Sequence, residues 1–125
     1  MSAPTEVMIV DDEPDILELM KALVDMSGGH ATVHYEARNG EEALRLLEHC
    51  APEVVVLDQV MPGLTGLETA ARIRDEKPET VVILCSAYVT GPLLVEAKQA
   101  GIALCLSKNN ITRLPEEIRS LVHAA

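Results

Sequence analysis

The chain has 125 residues, a length that fits one domain and buries roughly two-thirds of its unfolded surface without disulfide or metal staples. Hydrophobic residues make up 48% and charged residues 24%, an ordinary globular balance, but Phe and Trp are absent, so the core is aliphatic. The net charge of −10 argues against direct nucleic-acid binding, which needs Lys and Arg to displace counterions, and suits a cation or a basic partner.

No apolar run approaches a membrane span. The N-terminal stretch "MSAPTEVMIVDDE" has neither a basic region nor a cleavage site, so no export signal is expected. Cys50, Cys85 and Cys105 are odd in number and not at metal spacing. They fit a reducing cytoplasm and are expected to be buried small hydrophobes. The Met residues are expected to fill the core, and the four His residues form no ligand pattern.

Strand-like and helix-like segments alternate along the chain. "VMIV" (7–10) is a short apolar run. Pro14 then stands where a first helical turn tolerates it, and Ile16, Leu17, Met20, Leu23 and Val24 recur at helical spacing until Gly28-Gly29 breaks the pattern. "ATVHYEA" (31–37) reads as a strand with one wetter face. Asn39 and Glu42 form a capping-box pair that opens a helix through Ala43, Leu44 and Leu47. "EVVVLD" (53–58) is a strand buried on both faces. Thr65 and Glu68 repeat the capping box for a helix through Leu67, Ala70, Ala71 and Ile73. "TVVILCS" (80–86) is a further buried strand. Residues 90–101 are a helix with Thr90 as cap and Gly101 as stop. "IALCLSK" (102–108) is the fifth strand, and "LPEEIRSLV" (114–122) is the last helix. Strict alternation of five strands and five helices implies an α/β fold, a parallel sheet covered on both faces. Residues 1–125 are expected to form a single domain.

The ends of four strands carry polar groups: Asp11-Asp12, Asp58, Ser86 and Lys108. In an open parallel sheet these ends share one edge, where ligands bind at the reversal of strand order. Three carboxylates gathered there repel one another, and a hard cation such as Mg²⁺ resolves this with carboxylate, water and phosphate oxygens. An ammonium and a hydroxyl are left for the other oxygens of a phosphoryl group. Asp58, alone at a strand end beside the loop "QVMPGLTG", is the best candidate for a carboxylate nucleophile. Pro62 and Gly66 are expected to fix the turns of that loop.

The stretches "IVDDEPDI", "EARNGEEAL", "VVVLDQVMPGLTGLE", "VVILCSA" and "LSK" lie in the order and at the spacing of one family. Over nearly its whole length the chain resembles the receiver domain of two-component response regulators. The resemblance implies a doubly wound, flavodoxin-like sheet of order 2-1-3-4-5. It implies that Asp58 takes a phosphoryl group from a histidine kinase or phosphotransfer protein. Asp12 and Asp58 would ligate Mg²⁺ with the backbone carbonyl of Val60, and Asp11 would act mainly through water. Ser86 would hydrogen-bond the phosphoryl group and Lys108 would pair with it. A downstream protein or output domain would bind the face made by the fourth helix, fifth strand and fifth helix, with a homodimer as a further option.

The family's pattern breaks at two places. Its usual aromatic switch residue, three positions before the lysine, is here Cys105. Tyr88, two residues after Ser86, either shields an aspartyl phosphate from water, stands in for that switch, or is a plain surface residue. The lysine is followed by Asn109 in place of proline, so a trans bond is expected. Both changes touch the output face, which is expected to be atypical. Bulky, non-acidic Val60 and Tyr88 beside the path of attacking water suggest slow loss of phosphate. The function expected is a phosphorylation-controlled binding switch that assists only its own phosphorylation and dephosphorylation. The alternative is a degenerate receiver acting as a constitutive interaction domain. An aspartate-nucleophile phosphatase would want a second acid where Val60 stands, and "DDEPD" is the electrostatic opposite of a flavin-phosphate loop.

Overall fold

The computed structural model describes residues 3–123. In β1 (Thr5–Val10), Val7 and Ile9 face one layer of core, Met8 and Val10 face the other, and all four are fully buried. That alternation along the apolar run 7–10 is what a sheet covered on both sides requires. β2 (Ala31–Ala37), β3 (Val54–Asp58), β4 (Val81–Ser86) and β5 (Leu104–Ser107) complete a parallel sheet of order β2-β1-β3-β4-β5. The order reverses between β1 and β3, so the ends of those strands flank the crevice. β2 is the wetter edge strand, and its pairing with β1 slips between Val7 and Met8, where His34 bulges out.

α1 (Pro14–Asp25) and α5 (Leu114–Val122) cover one face, inserting Leu17, Met20, Val24, Leu114 and Ile118. α2 (Gly40–Leu47), α3 (Gly66–Glu76) and α4 (Gly91–Gln99) cover the other with Ala43, Leu47, Ala70, Ile73 and Ala97. Each large aliphatic side chain buried this way contributes about 1.5–3 kcal/mol. The expected five strands, five helices, strand order and flavodoxin-like class are all present. No helix among the described residues is long and apolar enough to cross a membrane.

Several local expectations need correction. β5 is shorter than residues 102–108. Ile102 instead closes the C-terminus of α4, its N–H donating to the Ala97 carbonyl at 2.9 Å beyond Gly101, whose φ is +81°. Lys108 opens a 3-10 helix, Lys108–Arg113, that the sequence pattern did not reveal. Thr65 and Glu68 form the full capping box, but Glu42 returns its carboxylate to the Arg38 N–H, one residue before Asn39. Gly63, not Gly66, takes the positive φ in the loop after β3. Gly66 is required for closeness: a Cβ there would meet the Asp58 carbonyl oxygen and Leu84 Cδ1 at 2.5 Å each. Cys85 is buried, whereas Cys50 and Cys105 are only partly so. Met26, at the end of α1, is 80% exposed and fills no core. All described peptide bonds are trans, Lys108–Asn109 included.

Candidate functional site

The carboxyl ends of β1, β3 and β4 and the residue after β5 meet in a cleft of about 410 Å³, lined by Asp12, Asp58, Val60, Ser86, Tyr88 and Lys108 among others. Asp11 lies beneath it and is fully buried. β1 holds Asp11 there by pairing on both sides, and the Asp11 N–H continues the ladder to the Ala37 carbonyl at 3.1 Å. Asp58 is the last residue of β3 and 4% exposed. The start of the 3-10 helix turns Lys108 back over both: its ammonium lies 3.1 Å from Asp58 Oδ1 and 3.2 Å from Asp11 Oδ2.

One ammonium shared between two buried carboxylates does not neutralise them. Burial, and then the Asp11 charge, push Asp58 above the ordinary carboxylate range against the pull of Lys108 and the Val60 N–H. Burial works to lower Lys108, but pairing with Asp58 and Asp11 outweighs it and leaves the ammonium firmly protonated. Asp11 Oδ2 is buried without a hydrogen-bond donor, its close positive neighbour being the ammonium it shares. Carboxylate oxygens of Asp11, Asp12 and Glu13 all lie within 4.8 Å of one another. Surplus hard oxygen donors around an under-compensated buried charge fit a divalent cation such as Mg²⁺.

Glu13 was not singled out in the sequence, although "DDE" placed it beside the acid pair. It lines the same cleft, and its N–H donates to Asp11 Oδ1 at 2.9 Å. Ser86 is at the cleft, but its hydroxyl donates to the Tyr88 carbonyl at 3.0 Å. The Tyr88 ring is 81% exposed and Val60 77% exposed, both on the rim. Cys105 does not reach the cleft; it lines a separate groove between α4 and β5 with Leu94, Ala97 and Ile102. Cys85 lies in the core beside Asp58, and burial pushes its thiol up to about 12, which keeps it inert. Another groove, of about 370 Å³, opens at the start of β3 and β4, far from any polar strand end.

The fold and the cleft define a flavodoxin-like α/β domain with an acid-and-lysine site at its switch point. The family model described as the response regulator receiver domain matches residues 7–119. The chain belongs to this family, and is a receiver domain of two-component signalling. It is 44% identical, over 82 residues and 66% of its length, to the positive alginate biosynthesis regulatory protein of Pseudomonas aeruginosa, covering 33% of that protein. It is 36% identical to a protein-glutamate methylesterase/protein-glutamine glutaminase of Rhodospirillum rubrum, over 97% of this chain and 34% of that one. The chain thus spans about a third of these two curated relatives. The solved signal receiver domain of NarL from Mycobacterium tuberculosis is 30% identical, with a TM-score of 0.91 over 99% of this chain and 100% of that one.

Proposed function

We propose that Asp58 is the phosphoacceptor of a Mg²⁺-dependent switch in residues 1–125, fed by a histidine kinase or phosphotransfer protein. The observation that carries this reading is the Lys108 ammonium bridging Asp58 and Asp11 at the base of an acidic cleft. A nucleophilic carboxylate must be ionised, and the bridge opposes the burial that disfavours its ionised form. An Asp58 oxygen attacks the phosphorus, the P–N bond of the donor phosphohistidine breaks, and the leaving imidazole nitrogen keeps the electron pair. Lys108 then faces a phosphoryl oxygen in place of the carboxylate. Ser86 becomes a donor to the phosphoryl group once its hydroxyl leaves the Tyr88 carbonyl.

Asp12, Asp58, the Val60 carbonyl and, through water, Asp11 would hold Mg²⁺, which supplies charge neutralisation for the incoming phosphoryl group. Tyr88 is the rim residue best placed to follow Ser86, because the two are joined through the backbone. Partners of the modified state would be a downstream protein or an output domain on the α4–β5–α5 face, where Cys105 leaves the usual aromatic position small; a homodimer would use the same face. We place the protein in the cytoplasm, where phosphohistidine donors and free thiols are found, with no catalysis beyond its own phosphorylation and dephosphorylation.

The engaged Ser86 hydroxyl and the distance of Cys105 from the cleft favour one second reading, a degenerate receiver that binds its partner without phosphate. Intact mass spectrometry after incubation with acetyl phosphate and Mg²⁺ separates the two. Gain of one phosphoryl group, lost in Asp58→Asn and without Mg²⁺, is the expected result. An unmodified wild-type chain leaves only the degenerate receiver.

A further inference from the structure

Gln59 stands between two of the residues that the proposed chemistry uses, Asp58 and Val60. Its N–H donates to the Cys85 carbonyl at 3.0 Å, and its own carbonyl accepts from the Gly66 N–H at 3.0 Å. Its side-chain Oε1 accepts from the Leu67 N–H at 2.9 Å. Leu67 is in the first turn of α3, where N–H groups have no intrahelical partner. Thr65 caps only the Glu68 N–H, at 3.1 Å. So α3 takes a second cap from the residue after the candidate acceptor. The distal part of the same loop is fastened by Glu41, which accepts from the Leu64 N–H at 3.4 Å. An apolar side chain at position 59 would satisfy the half-buried strand end but leave the Leu67 donor and the loop untied.

We propose that Gln59 is a positioning residue of the acceptor site: its amide pins the loop after β3 to the start of α3, and so fixes the Asp58 side chain and the Val60 backbone against Lys108. Gln59 touches neither donor nor cation and is not catalytic. The proposal rests on Asp58 being the acceptor, with Val60 offering its carbonyl to the cation. A cap that served α3 alone would alter stability and nothing else. A cap that sets the site also alters how Mg²⁺ is held.

The test compares wild type with Gln59→Met (similar volume, no acceptor), Gln59→Asn (an amide too short to reach) and Gln59→Glu (the acceptor kept). Mg²⁺ affinity is read by titration calorimetry, phosphorylation by acetyl phosphate from intact mass, and stability from the thermal midpoint. Gln59→Met and Gln59→Asn are expected to weaken Mg²⁺ binding by about tenfold or more, the scale of a lost outer-shell support, with phosphorylation slowed to match. Gln59→Glu is expected to stay within about twofold of wild type on both, since a carboxylate serves equally well at a helix N-terminus. Lowered midpoints in Met and Asn with Mg²⁺ affinity and phosphorylation unchanged would overturn the proposal, as would failure of Glu to restore them. If the wild type binds Mg²⁺ but takes no phosphoryl group, the acceptor reading fails, and the Mg²⁺ titrations still decide the role of Gln59. A wild-type chain that binds no Mg²⁺ overturns both.

Discussion

At the scale of single residues, Asp58 sets the pH behaviour. Its carboxyl sits above its ordinary value of 3.8 because burial and the Asp11 charge outweigh Lys108. The folded chain therefore holds this proton more tightly than the unfolded one. The resulting stability is complete below the ordinary value and is lost as pH rises through the raised one. At neutral pH the ionised group thus works against the fold. Asp58→Asn removes that charge and leaves Lys108 its contact with Asp11, so without Mg²⁺ at pH 7 the thermal midpoint is expected to rise by about 4 °C, equivalent to roughly 1 kcal/mol. The gain should shrink as pH is lowered towards the ordinary carboxylate value, and Mg²⁺ should stabilise the wild type more than the variant. A midpoint that falls at pH 7 would mean that Lys108 more than compensates Asp58. On the rim, exposed Val60 and Tyr88 offer no carboxylate or amide to orient an attacking water. Loss of phosphate, followed by intact mass after removal of the donor, is expected to take minutes or longer; a half-life of seconds would contradict it. Asp11, Asp58, Ser86 and Lys108 were legible as neighbours because their chemistry differs from that of the strands they end or follow. Glu13 and Gln59 were not, because an acid among acids and an amide in a loop carry no periodic signal.

At the scale of elements, α3 joins the core to the site, and its start leaves no room for a side chain against the backbone of the residue that ends β3. Gly66 stands there because its Cα passes against the Asp58 carbonyl and Leu84. Gly66→Ala forces a methyl group into that gap, and the backbone on one side cannot move without taking Asp58 with it. A loss of about 1–3 kcal/mol in urea unfolding is expected, the usual range for overpacking. Phosphorylation should slow alongside. An unchanged urea midpoint would show that α3 can shift outward freely. Helix starts were readable from short polar patterns, because Thr65 with Glu68 and Asn39 with Glu42 must satisfy the same orphaned N–H groups wherever they occur. What Glu42 bonds in return was not readable: the approach of β2 offers the Arg38 N–H in place of the N-cap's own. The 3-10 helix after β5 was hidden for a related reason. "NNITR" has no helical period, and its turn is capped from outside by the Ser107 hydroxyl, which accepts from the Asn109 N–H at 3.2 Å.

At the scale of the whole molecule, the topology was legible because alternation and doubly apolar strands admit few solutions, and strand ends of matching polarity then place the site. Core membership followed less closely. Met26 at the end of α1, Cys50 in the loop after α2 and Cys105 on the edge strand β5 are apolar residues whose place in the fold decides exposure more than hydrophobicity does. Charge, in contrast, is a global property fixed by composition, and a net −10 acts on any ion that approaches. Acetyl phosphate is an anion, so it must enter the cleft against the field of the chain. Added NaCl shortens the screening length to about 10 Å at 0.1 M and weakens that repulsion. At saturating Mg²⁺, the second-order rate of phosphorylation by acetyl phosphate is therefore expected to rise about twofold between roughly 0.02 and 0.2 M NaCl. A protein donor that docks through a basic surface is attracted by the same field, so its rate should fall over the same range. Opposite salt slopes for the two donors would locate specificity in the surface charge around the cleft. A rate for acetyl phosphate that falls with salt would mean that the local field of Lys108 and the bound cation, within a screening length of Asp58, outweighs the remaining charge of the molecule.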